Sequence, residues 1–160
     1  MTHIVYIALG SNLGDRPANL RAAVAALAPH VRVLAQSAVY ETEPWGFADQ
    51  PAFLNMVLRA ATQLAPADLL ARLKELEATL GRTPSFRNGP RLIDLDILFY
   101  DDIILDSPSL HIPHPRLHER AFVLIPLADL APDLIHPLQG LSVAQLVEKV
   151  DQRGVIRCAD

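Results

Sequence analysis

The stretch GPRLIDLDILFYDD, residues 89–102, is the part of the sequence that best indicates the fold. Two aspartates, Asp94 and Asp96, interrupt a segment that is otherwise as apolar as a buried strand. Because burying an unpaired carboxylate is very costly, these charges need a partner or a wet surface. Side chains alternate between the faces of a strand, so both aspartates lie on one face. Three aliphatic neighbours face the opposite way, into a core: Ile93, Leu95 and Ile97.

The spacing of the two aspartates suits a metal site. Carboxylates two residues apart on a strand lie about 6.6 Å apart along it, and they can converge on one cation or bridge two. Oxygen ligands suit Mg²⁺, which takes the rest of its shell from waters and substrate phosphates. The alternative is a strand with one solvated face on which aspartate is tolerated. Aspartate is disfavoured in strands, and like charges on one face repel, which favours the metal site.

The composition is typical of one globular domain. The chain has 160 residues, 51% of them hydrophobic, so a sizeable core is expected and disorder is not. A net charge of -4 argues against a general nucleic-acid-binding protein, which would need a basic face. One cysteine, Cys158, excludes a disulfide framework and a thiolate metal cage. We therefore expect a single domain over residues 1–160.

No membrane or targeting segment is recognisable in the sequence. No apolar run approaches the roughly 20 residues that a membrane helix requires. The first ten residues, MTHIVYIALG, lack a basic region and continue into a strand pattern, so no signal peptide is expected. These features predict a cytoplasmic protein without a membrane partner.

Hydrophobic periodicity and turn residues predict an alternation of strands and helices. Strands are expected over residues 3–9, 31–42, 52–63 and 91–100. Helices are expected over residues 16–28 and 66–80. Additional elements are expected at 103–105 (a hairpin partner of the last strand), 120–130 and 142–150 (helices), and 155–158 (an edge strand).

The order β-α-β-β-α-β predicts an α+β fold of the ferredoxin-like plait type. Such a plait has a mainly antiparallel sheet, with the first and last strands of the unit side by side at its centre. Helices cover one face of the sheet. The other face, which carries Asp94 and Asp96, is expected to be free, and the C-terminal elements are additions to the unit.

Five arginines cluster near the aspartates in the sequence. Arg82, Arg87 and Arg91 lie in or beside the loop that precedes the aspartate strand, and Arg116 and Arg120 flank a second loop. The planar guanidinium suits phosphate oxygens, so the cluster favours an anion site beside a metal. The alternative, surface arginines that balance nearby carboxylates, is a fair one for Arg87 and Arg116. No glycine-rich phosphate loop of the common kinds is present.

The segment HIPHPRLHER contains three histidines, His111, His114 and His118. Their spacing suggests zinc, but Pro113 and Pro115 break any helix that could place two histidines on one face. A single histidine that contacts a phosphate fits the segment better than a three-histidine metal site.

Aromatic side chains near an amide suggest a slot for a flat ring. Phe53 and Asn55 share a face of one strand, Trp45 lies in the preceding loop, and Phe122 follows an arginine. Two aromatic rings and an amide can enclose a heterocycle and bind its edge. Core packing is the better explanation for any single phenylalanine, and Asn55 is what favours the slot.

These residues resemble the 6-hydroxymethyl-7,8-dihydropterin pyrophosphokinase family, and the resemblance covers essentially the whole chain in order. Its motifs are GSNLGD (10–15), YETEPWG (40–46), Q-P-x-F-L-N (50–55), G-P-R-x-I-D-L-D-I-L (89–98) and P-H-P-R-x-x-E-R-x-F-V-L-x-P-L (113–127). The family's fold is the ferredoxin-like plait.

The resemblance implies an enzyme of folate biosynthesis that transfers diphosphate from ATP to the hydroxymethyl group of 6-hydroxymethyl-7,8-dihydropterin and releases AMP. Asp94 and Asp96 would hold two Mg²⁺, and Arg82 and Arg91 would neutralise the phosphates in the transition state. The implied partners are these small molecules alone, with no nucleic acid, and the implied state is a monomer.

The resemblance also implies the remaining site residues. The pterin would contact Thr42, Trp45, Phe53, Asn55 and Phe122. ATP would contact Lys74, Glu77, Arg82, Arg91, Ile97, His114 and Arg120. The GSN turn at residues 10–12 would support the pterin pocket. The loop before the aspartate strand departs from the family pattern at Asn88, so Arg87 has no assigned role.

Three other functions compete with this one. Single-stranded RNA modules share the element order, but the aromatics expected on their central strands are replaced here by aspartates. A metalloenzyme built on the histidine segment would contain zinc. A non-catalytic homologue would not need the aspartate pair and Arg91.

Overall fold

The structure, a computed structural model, describes residues 1–42, 51–81 and 92–158. Its strands are β1 (His3–Ser11), β2 (Val31–Gln36), β3 (Tyr40–Thr42), β4 (Phe53–Thr62), β5 (Asp94–Tyr100), β6 (Leu105–Asp106), β7 (His111–Ile112) and β8 (Val155–Arg157). Its helices are α1 (Arg16–Ala26), α2 (Pro66–Thr79), α3 (Ala121–Leu130) and α4 (Val143–Lys149), with a 3₁₀ turn at Leu117–Glu119. None of the helices in these ranges is both long and apolar enough to cross a membrane.

The main sheet is antiparallel and is organised around β1 and β4. β1 pairs with β5 on one side and with β4 on the other. The far edge of β4 pairs with β2 and β3, and β3 pairs with β8. The predicted antiparallel sheet and the adjacency of β1 and β5 are therefore confirmed. However, β5 ends the path among the described strands, so the prediction that both strands are central is wrong for β5.

One face of the sheet packs against α1 and α2, as predicted. Ile93, Leu95 and Ile97 are at most 4% exposed and belong to this core. They join alternate residues of β1 and the apolar stripes of the two helices. The outward-facing aspartates of β5 alternate with them and remain half-buried.

The opposite face is not free, and this expectation was wrong. α3 and α4 pack against it and form a second core with Val57, Leu98 and Phe99. Because α3 and α4 are connected after the β-α-β-β-α-β unit, the element order alone does not specify which face they cover. Their packing places the start of α3 on the face that carries the aspartates.

A register shift in β5 helps to form the second core. Tyr6 pairs with Phe99 and Ile7 pairs with Ile97, so Leu98 is an extra residue in β5. Leu98 and Phe99 both pack into the second core. The Leu98 carbonyl accepts a hydrogen bond from the His114 amide at 3.1 Å, which ties the histidine segment to β5.

Two predicted strands differ from the structure. The single strand expected over 31–42 is interrupted at 37–39, where the Ser37 hydroxyl accepts the Val57 amide at 2.8 Å. The segment near 103–105 does not pair with β5; β6 pairs with β7 in a separate ribbon. In the first case the Ser37 hydroxyl takes a backbone amide that the pattern assigned to the continuous strand. In the second case β6 pairs with β7 and not with β5.

The predicted helices are confirmed with ends that differ by at most two residues, the largest difference being at α1, which ends at Ala26 and not at residue 28. α2 begins at Pro66 and ends before Gly81, whose φ of +90° is a backbone conformation that favours glycine. α4 begins with a capping box in which Ser142 and Gln145 bond each other's backbone amides.

The second core contains a buried histidine, His136, which is 2% exposed. Its Nδ1 accepts the amides of Leu138 and Gln139 at 3.2 and 3.1 Å. The ring lies 5.8 Å from the rings of Phe99 and His118, measured between centroids. Burial and the neighbouring His118 lower the pKa of His136. The folded protein therefore favours the neutral form.

We predict that the free energy of unfolding of His136→Asn decreases less than that of the wild type when the pH falls into the mildly acidic range. A histidine whose pKa is lower in the folded state contributes stability above its unfolded pKa of about 6.5, and that contribution is lost as pH falls. Asparagine supplies an oxygen acceptor but does not titrate. Urea unfolding at pH 7.5 and 5.5 should show a smaller decrease for the variant than for the wild type. An equal decrease in both proteins would contradict the assignment.

Candidate active site

Small residues on β1 leave space around the two aspartates. Asp94 pairs with Gly10 and Asp96 pairs with Ala8 across the β1–β5 ladder. Residues directly opposite in a ladder share a face, so the carboxylates stand beside a glycine and an alanine. The small side chains of β1 therefore leave the face beside both carboxylates unfilled from that strand.

The site concentrates negative charge at Asp96. Burial, Asp94 and Glu77 raise the pKa of Asp96 to about 7, although Arg120 and Lys74 oppose the increase. A divalent cation would compensate the same carboxylates that repel one another here. The donor set therefore fits Mg²⁺, which needs only one or two protein carboxylates.

Glu77 fixes the backbone between the two aspartates. This residue of α2 is 4% exposed, and its Oε2 accepts the amide of Leu95 at 2.9 Å. The Leu95 amide therefore points away from β1, along the outer edge of β5. Glu77 thus both adds charge to the site and holds the strand that carries Asp94 and Asp96.

Cationic and aromatic groups of the α3 region stand next to the aspartates. The Cζ atom of Arg120 lies 5.7 Å from the centroid of the Phe122 ring. Arg120 and Asp96 interact electrostatically, and burial lowers the pKa of Arg120. Lys74 is exposed on α2, and its charge also reaches Asp96. These cations are positioned to meet an anion bound at the carboxylates.

His114 is a neutral residue at physiological pH. Burial and the charge of Arg120 lower the pKa of His114 to about 4. Its Nδ1 accepts the amide of Arg116 at 3.3 Å, which assigns the proton to Nε2. His114 can therefore contact a phosphate as a hydrogen-bond donor and not as a cation.

A side-chain amide, that of Asn55 on β4, lies on the other side of β1 from the aspartates. Asn55 is 9% exposed, and its Nδ2 donates to the Thr42 hydroxyl at 2.7 Å. Gly10 pairs with Asn55 on one side and with Asp94 on the other. Asn55, Gly10 and Asp94 thus form one row across three strands, on one face. Adjacent strands are about 4.8 Å apart, so the row places the amide about 10 Å from the carboxylate backbone.

Gly10 is required for this close arrangement. A Cβ atom added there would lie 3.1 Å from the Asn55 Oδ1 and 3.6 Å from the Phe53 ring. A side chain at this position would therefore displace the amide or the ring. The glycine of the GSN motif is explained by this contact.

Polar side chains of the predicted GSN turn and of α1 support the same region. Asn12 donates to the Pro51 carbonyl at 3.0 Å, and Arg16 donates to the Ala52 carbonyl at 2.8 Å. Asn19 donates to the buried Ser11 hydroxyl at 3.1 Å. The bonds of Asn12 and Arg16 hold the residues that lead into β4. Asn12 belongs to the predicted GSN turn, whereas no sequence pattern indicated Arg16 or Asn19.

The structure brings the described predicted site residues of β3, β4, β5 and the start of α3 to one face of the sheet, while Lys74 and Glu77 lie on α2. Trp45, Arg82, Arg87 and Arg91 lie outside the described residues. Ile97 is an exception among the described ones, because its side chain is 4% exposed and faces the α1–α2 core. Only the backbone of Ile97 is available for a nucleotide contact.

The histidine segment does not form a metal centre in the described part of the chain. No group of three or more histidine, cysteine, aspartate or glutamate side chains there is arranged to hold a metal. His111 instead lies 2.8 Å from Asp106, and His118 packs against His136. The zinc alternative has no structural support within these residues.

A cavity of about 870 Å³ lies behind β4, on the opposite face from the row at Gly10. It is lined by residues of α1, by Leu54 and Met56 of β4, and by Cys158. None of the predicted site residues lines it. The sheet separates this cavity from the carboxylates, so we do not place the site there.

A sequence model of the family described as 7,8-dihydro-6-hydroxymethylpterin-pyrophosphokinase (HPPK) matches residues 6–132 of the chain. This chain belongs to that family. The resemblance stated from the motifs is thereby confirmed.

Two bacterial relatives named 2-amino-4-hydroxy-6-hydroxymethyldihydropteridine pyrophosphokinase match almost end to end. The Bacillus subtilis protein is 49% identical over 157 residues, which is 97% of this chain and 90% of that protein. The Pseudomonas aeruginosa protein is 45% identical over 159 residues, which is 98% of each.

The folic acid synthesis protein fol1 of Pneumocystis carinii is 49% identical over 91% of this chain, which spans only 20% of that relative. The family and these names support pyrophosphokinase activity in folate biosynthesis.

Solved structures titled HPPK-DHPS share the fold of this chain. The crystal structure of wild-type Plasmodium falciparum HPPK-DHPS with pteroate superimposes with a TM-score of 0.78 at 15% identity. The match covers 93% of this chain and 44% of that one. At this identity the likeness shows the fold alone: a mixed α/β arrangement with an antiparallel sheet.

We predict that Glu77→Gln changes stability little, whereas Glu77→Leu is destabilising by about 1–3 kcal/mol. Glutamine retains an oxygen that can accept the Leu95 amide, and leucine leaves that buried amide without an acceptor. Urea unfolding of both variants measures the difference. Glu75→Leu, on the exposed side of α2, is the control. Equal stability of the glutamine and leucine variants would contradict the role assigned to this bond.

Proposed function

We propose that the chain transfers diphosphate from ATP to the hydroxymethyl group of 6-hydroxymethyl-7,8-dihydropterin and releases AMP. Family membership and the names of the bacterial relatives support this reaction. The row of Asn55, Gly10 and Asp94 is the structural observation that carries the proposal. It joins a surface suited to a flat polar ring to a pair of carboxylates suited to a metal–phosphate complex.

The pterin would lie between Phe53 and Phe122. Asn55 and Thr42 would bind the polar edge of the ring, and their mutual hydrogen bond fixes the orientation of the amide. Trp45 is included among the proposed pterin contacts only because the family resemblance implies it. An amide held by a neighbouring hydroxyl is a preorganised donor and acceptor, which favours one orientation of the heterocycle.

Asp94 and Asp96 would hold Mg²⁺, and the family resemblance implies two ions. When bound, the ions would neutralise phosphate charge and acidify the pterin hydroxyl. Arg120 and Lys74 would add positive charge beside the transferred group, and His114 would donate a hydrogen bond from Nε2. Arg82 and Arg91 would neutralise charge that develops in the transition state. Phosphoryl-type transfer requires mainly such positioning and charge stabilisation.

We also propose that the fold is the ferredoxin-like plait and that residues 1–160 form one domain. The pairing of β5, β1, β4 and β2 in this order, with α1 and α2 on one face, supports the plait. A monomeric state and a cytoplasmic location stay predictions.

We predict that Asp96→Asn folds normally and loses turnover by orders of magnitude. The substitution keeps the shape of the side chain but removes a charged metal ligand. Incubation with ATP, Mg²⁺ and the hydroxymethyldihydropterin should yield AMP and the pterin diphosphate in equal amounts with the wild type and not with Asp96→Asn. Asp102→Asn, in the exposed turn after β5, is the matched control and should remain active.

Two results would count against the proposed reaction. ADP in place of AMP would indicate transfer of a single phosphoryl group. Full activity of Asp96→Asn would remove the aspartate pair from the chemistry even if AMP forms.

We predict that Gly10→Ala raises the KM for the pterin and leaves the KM for ATP almost unchanged. The added methyl would lie 3.1 Å from Asn55 Oδ1, so the amide must move by a few tenths of an ångström. Steady-state kinetics with each substrate varied in turn measures the effect, and the ATP value is the internal control. An equal increase in both KM values would show that the methyl disturbs the site as a whole.

A further inference from the structure

The two walls of the candidate pterin slot belong to different elements. Phe53 and Asn55 lie on β4, whereas Phe122 lies in the first turn of α3. The width of the slot therefore depends on how α3 is held against the sheet.

One side chain of α3 bonds directly to the region of β3. The carboxylate of Asp129 accepts the Tyr40 hydroxyl, with oxygen–oxygen distances of 3.0 and 2.8 Å. It also accepts the Ala38 amide at 3.2 Å. Asp129 follows Phe122 by seven residues, which is about two turns and 10 Å along the same side of a helix. The contact and the aromatic wall are thus on one side of α3.

Tyr40 belongs to the strand that holds the polar wall of the slot. It is 7% exposed and pairs with Asn55 across the β3–β4 ladder. Thr42, the next residue on that face of β3, accepts the Asn55 amide. Burial and Asp129 raise the pKa of Tyr40 to about 12, so its hydroxyl stays protonated and donates at neutral pH.

The interruption between β2 and β3 makes the second bond of Asp129 available. At residues 37–39 the backbone leaves the strand pattern, and the Ser37 hydroxyl takes the Val57 amide. The Ala38 amide is then directed to α3 instead of to β4. Asp129 therefore bonds the chain on both sides of residue 39.

α3 can carry this contact to Phe122 as one body. Pro126 has no amide hydrogen, so the helical bond to the Phe122 carbonyl cannot form. The first turn is instead held by Val123 and Leu124, which both donate to the Arg120 carbonyl at 3.0 Å. Leu124 and Leu127 are fully buried in the second core, so the helix packs as a unit.

We propose that Tyr40 and Asp129 form a positioning pair that sets the separation of Phe122 from Phe53 and so determines the affinity for the pterin. The inference rests on the proposed placement of the pterin. The pair acts through α3 and β3, while the aspartates and Lys74 are held by β5 and α2. Arg120, at the start of α3, is the proposed phosphate contact that this helix also carries. Loss of the pair should therefore weaken binding of the pterin more than binding of ATP.

The test is steady-state kinetics on Tyr40→Phe and Asp129→Ala, with the pterin and MgATP varied separately. We expect the pterin KM to rise about three- to tenfold, which is less than the full effect of one charge-assisted hydrogen bond, because the lost bond acts on the pterin only through the position of α3. We expect the KM for ATP to change less than the pterin KM and kcat to change less than about twofold, because most of the proposed ATP contacts lie outside α3. Tyr6→Phe, which keeps its ring contact with Phe99, and Asp133→Ala, an exposed carboxylate after α3, are the matched controls.

The double variant separates a pair from two independent effects. If the residues act together, Tyr40→Phe should add little to Asp129→Ala. Multiplied effects would contradict the pair. An unchanged pterin KM in both single variants, even with a lower melting temperature, would reduce the contact to a structural one and overturn the proposal.

Phe122→Ala distinguishes failure of this inference from failure of the proposed function. A raised pterin KM in Phe122→Ala with no effect of Tyr40→Phe or Asp129→Ala would refute the positioning pair alone. An unchanged pterin KM in Phe122→Ala would refute the placement of the pterin, and the pair's role with it. Absence of AMP formation by the wild type would refute the reaction itself.

Discussion

The pairing of β1 with both of its neighbours is the constraint on which the candidate site depends. β1 lies between the strand that carries the aspartates and the strand that carries the aromatic and amide residues. Gly10 is the residue at which the two halves meet. An antiparallel ladder fixes register residue by residue, so a shift of one position would turn the aspartates into the core. The alternating apolar residues of β5 prevent that shift, because they are buried under α1 and α2.

Repulsion between carboxylates at the candidate site is unfavourable for the free energy of folding. Asp94, Asp96 and Glu77 concentrate negative charge at one end of the sheet, and the raised pKa of Asp96 reflects it. A protein built for stability alone would not place these groups together. The hydrogen bond of Glu77 partly compensates this repulsion. Its carboxylate accepts the Leu95 amide of β5, the strand that carries both aspartates. Bound cations would relieve this repulsion, which links it to the proposed reaction.

The packing of α3 and α4 on the second face of the sheet adds side chains to the candidate site. A free face would leave the aspartates on an open surface, but α3 brings Arg120 and Phe122 beside them. The same helix contacts β3 through Asp129 and Tyr40. The aromatic wall, the cation and the polar wall are thereby connected through one packed helix. In the proposed function the second core would therefore position the site as well as stabilise the fold.

The sequence by itself determined the family, the strand and helix order, and the residues of greatest chemical interest. Period-two alternation is sufficient to place Asp94 and Asp96 on one face, and Pro66, Gly81 and the Ser142 capping box mark helix ends through local chemistry. Tertiary structure decided which face α3 covers, where β6 pairs, and how Ser37 interrupts the second strand. It also decided the contacts of Glu77 with Leu95 and of Asp129 with Tyr40. These are bonds between residues 18 and 89 positions apart. Patterns of neighbouring residues carry no information on such bonds, because they form only when the packed sheet and helices bring distant side chains together.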